Sequence, residues 1–196
     1  MASTIYVDKL DPQSGTALEI GTSGDTITVP SGATFNVAGT LQSGGAALAN
    51  TPLIQAGFSS ASQSISSGSD TEIVYTAITK ESPSGKFSTT TGRFTPGITG
   101  FYYVSALARI NGGNAGGEFA NLQIRVNGSA STTGSAQGAT YRRYQDNGEV
   151  NSFAVDCVVE LTSVTDYISV YIYQNQGGAQ TLQANHTNFT AYKLIG

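Results

Sequence analysis

The chain carries one histidine, His186, and one cysteine, Cys157, in 196 residues, so nucleophilic or metal chemistry has few groups to draw on. His186 lies in Ala184-Asn185-His186-Thr187-Asn188 with no serine and carboxylate arranged beside it, which is a solvated loop histidine rather than a triad base. Cys157 falls in the row Phe153, Val155, Cys157, Val159, Leu161 and reads as a core thiol. Asp156 and Glu160 share the other face of that strand. At about 3.3 Å per residue they would stand roughly 13 Å apart, beyond the roughly 5–9.5 Å between glycosidase carboxyls. There is no Gly-x-x-x-x-Gly-Lys-Ser/Thr loop, no His-Glu-x-x-His and no Cys-x-x-Cys, and no Asp-x-Asp cluster that would hold calcium. The expectation is a protein that is not an enzyme, with no cofactor and no metal ligand.

Binding chemistry remains. Tyr141-Arg142-Arg143-Tyr144 follows a Gly/Ser/Thr-rich stretch and combines flat faces with directional donors, which suits a subunit interface first and a sugar or peptide surface second. Both assignments stay open. The Asn-x-Ser/Thr triplets at Asn127, Asn185 and Asn188 are treated as chance matches in a chain rich in these residues.

The elements that must position such groups are strands. Charged residues are 11% of the chain, so surface helices laced by Glu–Lys pairs are disfavoured, and 24 glycines supply turns. A net charge of -4 with nine Lys and Arg leaves no basic footprint for nucleic acid. No apolar run approaches about 18 residues, and the opening Met1-Ala2-Ser3-Thr4-Ile5-Tyr6 has no leader pattern, so a soluble, unprocessed protein without membrane insertion is expected.

Two β-rich regions follow. Between about Thr16 and Leu41, short alternating pieces (17–20, 26–29, 34–37, 40–41) are separated by Gly-containing turns at roughly eight-residue spacing, too short for each to bury a core alone. Such units must stack or be shared between chains. Residues 42–57 are small and carry Pro52, which reads as a connector. From Phe58, strands are expected at 71–78, 100–110, 120–126, 150–161, 167–174 and 188–195, the pattern of a sandwich or jelly roll. In the fifth of these, Ile168, Val170 and Ile172 alternate with Tyr167, Tyr171 and Tyr173; the tyrosine face is the candidate trimer interface.

Gly92-Arg93-Phe94-Thr95-Pro96-Gly97-Ile98-Thr99-Gly100-Phe101-Tyr102-Tyr103-Val104 resembles the Gly-x-Phe-x-x-Pro-x-x-Gly-x-Tyr-x-Phe signature of the complement-type globular-head family, within the tumour-necrosis-factor-like jelly rolls. Gly92, Phe94, Gly100 and Tyr102 match, Pro96 stands one place early, and Val104 replaces the last aromatic. Residues 73–78 resemble the first head strand; Asn188-Phe189-Thr190-Ala191-Tyr192-Lys193-Leu194-Ile195 resembles the closing strand, with Ala191 in place of Gly. The resemblance implies a trimeric head packed by aromatic faces. Residues 1–10, 14–18 and 24–41 in turn resemble the amino-terminal and shaft segments of tailed-bacteriophage fibres.

The expected architecture is therefore all-β, a short trimeric β-stalk followed by a jelly-roll head: 1–12 attaching to a particle, 13–41 the shaft, 42–57 a linker and 58–196 the head. The resemblances imply a virion structural fibre, on tail or capsid, exposed on the particle and holding a homotrimeric head toward a host cell-surface glycan. A free trimeric glycan- or receptor-binding ligand is the alternative. The long polar loops 111–118 and 127–147 are expected at the end of the head away from the stalk.

Overall fold

The computed structural model describes residues 18, 20–39, 41–43, 46–47, 50–60, 63–111, 119–129, 136–143 and 151–194, with the backbone alone for 43, 46–47, 111 and 136–143. The attachment segment 1–12 lies outside the described residues.

In chain order the strands are β1 (Gln42–Ser43), β2 (Ala46–Ala47), β3 (Leu53–Gly57), β4 (Ser64–Ile65) and β5 (Thr71–Glu72). Then come β6 (Ala77–Ser82), β7 (Phe87–Ser88), β8 (Arg93–Phe94), β9 (Gly100–Asn111) and β10 (Phe119–Val126). The chain closes with β11 (Ala136–Arg143), β12 (Asn151–Leu161), β13 (Ile168–Gln174), β14 (Gln180–Leu182) and β15 (Asn188–Lys193). A single 3-10 turn, Ala184–His186, precedes β15.

β1 and β2 pair only with each other, and the remaining strands form two antiparallel sheets facing each other across one core. The first runs β6-β3-β15-β9, with β12 on the far side of β9 and β14 and β4 added at one end; the second runs β11-β10-β13-β8-β7, with β5 also on β13. Period-two patterning explains the layers. Tyr102, Val104, Ala106, Ala108 and Ile110 of β9 point inward and are buried, as are Phe153, Val155, Val159 and Leu161 of β12. Leu122 and Ile124 of β10 and Ile168, Val170 and Ile172 of β13 close the core from the other sheet. Cys157 packs half-buried against this core, as its row predicted.

The resembled signature acquires a physical meaning. Gly92 has φ +74°, and Phe94 meets Tyr102 edge-on at 6.2 Å. The Tyr102 hydroxyl donates to the Ile98 carbonyl at 2.7 Å. Ala191, standing where the resembled pattern has Gly, is fully buried opposite Val104.

Three expectations need correction. The connector 42–57 contains β3, whose Ile54 and Ala56 are buried and which pairs with both β15 and β6. Its small side chains hid a strand, because alternation over five residues is a weak signal among alanines and glycines. The stretch 71–78 is not one strand: β5 pairs in the second sheet and β6 in the first. The chain crosses between sheets at 73–76, where Ile73 and Tyr75 are buried in the core. Tyr75 stacks on Phe189 with ring centroids 5.7 Å apart.

The third concerns 127–147. Ala136–Arg143 forms β11, the end strand of the second sheet, with Phe119 opposite Arg143 and Arg125 opposite Ala136. The chain enters the first sheet at Leu53, which is opposite Tyr192; Val126 and Ile168 pair in the second sheet, and the short connection 162–167 joins Ile168 to Leu161 at the Gly100 end. The hairpin between β10 and β11 thus turns at the end where the chain enters. Asn111, Asn151, Gly57 and Thr181 mark the opposite end.

Asp166 locks that short connection. Its carboxylate accepts from Asn127 Nδ2 at 2.8 Å and from the backbone N–H groups of Thr162 and Ser163, both at 2.8 Å. The Asn127 side chain first, then the Ser163 amide, hold its pKa below the ordinary 3.8. The charged form is thus favoured by folding. Its stabilisation is present above the unfolded value and is lost as pH falls through the lower folded value. Asp166→Ala is expected to cost about 2 kcal/mol near pH 7 in urea unfolding, with the gap to the native chain closing in strong acid.

Candidate functional site

The outer face of the second sheet carries the tyrosines assigned to a trimer interface, and the chain itself covers them. The Arg93 guanidinium lies 4.4 Å from the Tyr167 ring centre, and that of Arg125 lies 4.2 Å from Tyr171. Both cations are held: Arg93 pairs bidentately with Glu72 at 2.8 and 2.9 Å, and Arg125 pairs with Asp70 at 2.5 Å and with Gln123. Tyr173 stacks on Phe119 at 5.3 Å. A partner seated here would meet guanidinium groups and carboxylates rather than bare rings. Sequence reasoning missed these caps because Arg93 and Arg125 come from distant strands.

The bare apolar surface is on the other sheet. Register places Val158, Tyr103, Tyr192 and Leu53 side by side across four strands of its outer face. Tyr103 and Tyr192 pack with ring centroids 5.4 Å apart. At one end of the row, Phe101 and Val158 are 53% and 51% exposed. At the other lies a cleft of about 340 Å³ whose exposed lining is mainly apolar, formed by Leu53, Ile54, Ala191 and Tyr192 together with Asn50, Gln55, Lys80 and Thr190.

A second uncovered apolar surface lies in the expected shaft. Ser23-Gly24-Asp25-Thr26-Ile27-Thr28-Val29 and Ser31-Gly32-Ala33-Thr34-Phe35-Asn36-Val37 repeat one pattern. The structure repeats with it: Asp25 N–H donates to Thr22 O and Ala33 N–H to Pro30 O, both at 3.0 Å, with Gly24 and Gly32 at positive φ. The extended pieces between the turns have no strand partner among the described residues, and Ile27 and Phe35 are 64% and 68% exposed.

Of the polar-aromatic cluster, Tyr141, Arg142 and Arg143 lie on β11, opposite Asn121, Ala120 and Phe119. They belong to a strand, not to a loop. Tyr144 lies outside the described residues. His186 is exposed in the 3-10 turn at the end opposite to where the chain enters. Cys157 is held as a thiol: burial first and then neighbouring Asp156 push its pKa up to about 11. A thiol reagent at pH 8 is therefore expected to label native Cys157 far more slowly than the urea-unfolded chain, and comparable rates would contradict this. Among the described residues no three His, Cys, Asp or Glu side chains group as a metal site.

The chain matches no protein-family model and no curated protein. Among solved structures, Eiger TNF from S. frugiperda aligns at TM-score 0.51 and 12% identity, covering 72% of this chain and 91% of that one. The fold is the tumour-necrosis-factor-type jelly roll. The globular domain of zebrafish complement 1qA protein aligns at TM-score 0.44 and 14% identity, covering 73% and 97% of the two chains. Murine APRIL at pH 5.0 aligns at 0.47 and 13%, covering 72% and 98%. At such identities the likeness is one of fold.

Proposed function

We propose that this chain is a structural fibre protein of a virion, whose three copies share a β-stalk built from the turn repeat and display a trimeric jelly-roll head for attachment to a cell surface. The observation that carries this reading is the repeat itself. Two turns eight residues apart present Ile27 with Val29 and Phe35 with Val37 at the same phase, all exposed in a single chain. Burying each such side chain contributes on the order of 1.5–3 kcal/mol, and copies winding together supply the partner strands that one chain lacks. The head assembles through the outer face of the first sheet, with Phe101 and Val158 of one copy against the Leu53–Tyr192 cleft of the next.

Catalysis is no part of this reading. Cys157 faces the core, and His186 stands exposed in a turn whose neighbours are amides and hydroxyls. A free ligand with the same head would have no use for the repeat. Mass spectrometry of purified particles made by the genome that encodes this chain is the test: the protein should be a stoichiometric component, and its absence from particles would remove the fibre assignment.

A further inference from the structure

At the end of the head opposite to where the chain enters, a polar cleft of about 560 Å³ opens between the chain after β3 and the turn between β14 and β15. Its polar lining is Ser59, Ser60, Thr181, Gln183, Asn185 and His186. Among the described residues that line it there is no Asp, Glu, Lys or Arg. The walls are fixed by the backbone. Leu182 N–H donates to Gln63 O at 2.9 Å, Gln183 N–H to Arg109 O at 2.8 Å, and His186 N–H to Gln183 O at 3.2 Å. Ser59 N–H donates to Thr76 Oγ1 at 3.2 Å on the opposite wall. The side chains of Asn185 and His186 are exposed.

From this arrangement we infer that the cleft binds a neutral saccharide, a hexose or N-acetylhexosamine unit of a larger glycan. Each sugar hydroxyl is at once donor and acceptor, and hydroxyl and carboxamide side chains offer both functions in return. A charged ligand would lose hydration here without meeting an opposite charge. The volume falls within the range of about 300–1,000 Å³ usual for small-ligand sites. The inference rests on the proposed reading of the chain as a displayed head, since three such clefts at one end turn weak single contacts into avidity.

The test is an array of neutral oligosaccharides ending in glucose, galactose, mannose, N-acetylglucosamine or N-acetylgalactosamine, with sialylated and sulfated glycans beside them, probed with the full chain. The proposal expects binding within the neutral set, nearly unchanged between about 50 and 500 mM NaCl because no ion pair is involved. Asn185→Ala with His186→Ala, both exposed, should weaken the best binder at least about tenfold, the scale of one or two lost hydrogen bonds. No neutral binder, binding that survives the double variant, or binding confined to anionic glycans and lost in salt would each overturn it. Light scattering on the same sample separates the two claims. A trimer that binds no neutral sugar removes only the cleft assignment. A monomer that binds one through Asn185 and His186 removes the trimeric fibre and keeps the site.

Discussion

Gly92→Ala is expected to prevent the head from folding stably. A Cβ at this position would lie 2.1 Å from the Ile73 carbonyl oxygen and 3.0 Å from Val74 Cα, both backbone atoms with no side chain to swing aside. Gly92 also closes the turn after β7, donating its N–H to Ser88 O at 2.8 Å with φ +74°. The left-handed conformation alone costs a non-glycine residue about 1–2 kcal/mol. Forcing apart the crossing segment that carries Ile73 and Tyr75 raises the expected total above about 4 kcal/mol, a loss of most of a domain's stability. Gly177→Ala isolates the conformational part, since Gly177 has φ +75° and nothing within 4 Å of its would-be Cβ. Urea unfolding of the two variants should separate them clearly, and equal effects would refute the close packing at Gly92.

Phe101→Asp combined with Val158→Asp is expected to break the assembled head into single copies while leaving each copy folded. Both side chains are about half exposed in one copy, so the jelly roll needs neither for its own core. In a ring they would be buried, and two carboxylates placed there beside Asp156 and Glu160 would be desolvated among like charges. Tyr171→Ala is the contrast: its ring lies beneath Arg125 in the same chain, so the variant should lose some stability and no assembly. The opposite pattern, dissociation by Tyr171→Ala and none by the double aspartate variant, would return the interface to the tyrosine face.

The cover over the tyrosine face shows what was legible beforehand. Period-two alternation over long runs is a local property, and it identified β9, β12 and β13 and the inward row of β12, Cys157 included. The capping of Tyr167 and Tyr171 depends on Arg93 and Arg125, brought from other strands by the sheet order, and no local pattern announces such a pairing. β3 and the crossing at 73–76 were hidden for related reasons. The first is short and rich in small residues; the second changes sheets in mid-run without a proline or glycine to mark it. The polar cleft joins residues 59–60 to residues 181–186 and has no linear signature at all. The turn repeat was the converse: Ser-Gly-x-Thr recurring after eight residues was fully visible, and the structure adds that the two turns share the same hydrogen bond.

The central claim is that one copy is incomplete, and multi-angle light scattering of the intact chain at micromolar concentration tests it most directly. The account predicts a single species at three times the 20.2 kDa of one chain, persisting on dilution because stalk repeat and head face are buried together. A stable species of 20.2 kDa would contradict it, because the exposed row from Ile20 to Val37 and the Phe101–Val158 face would then have no partner of their own kind.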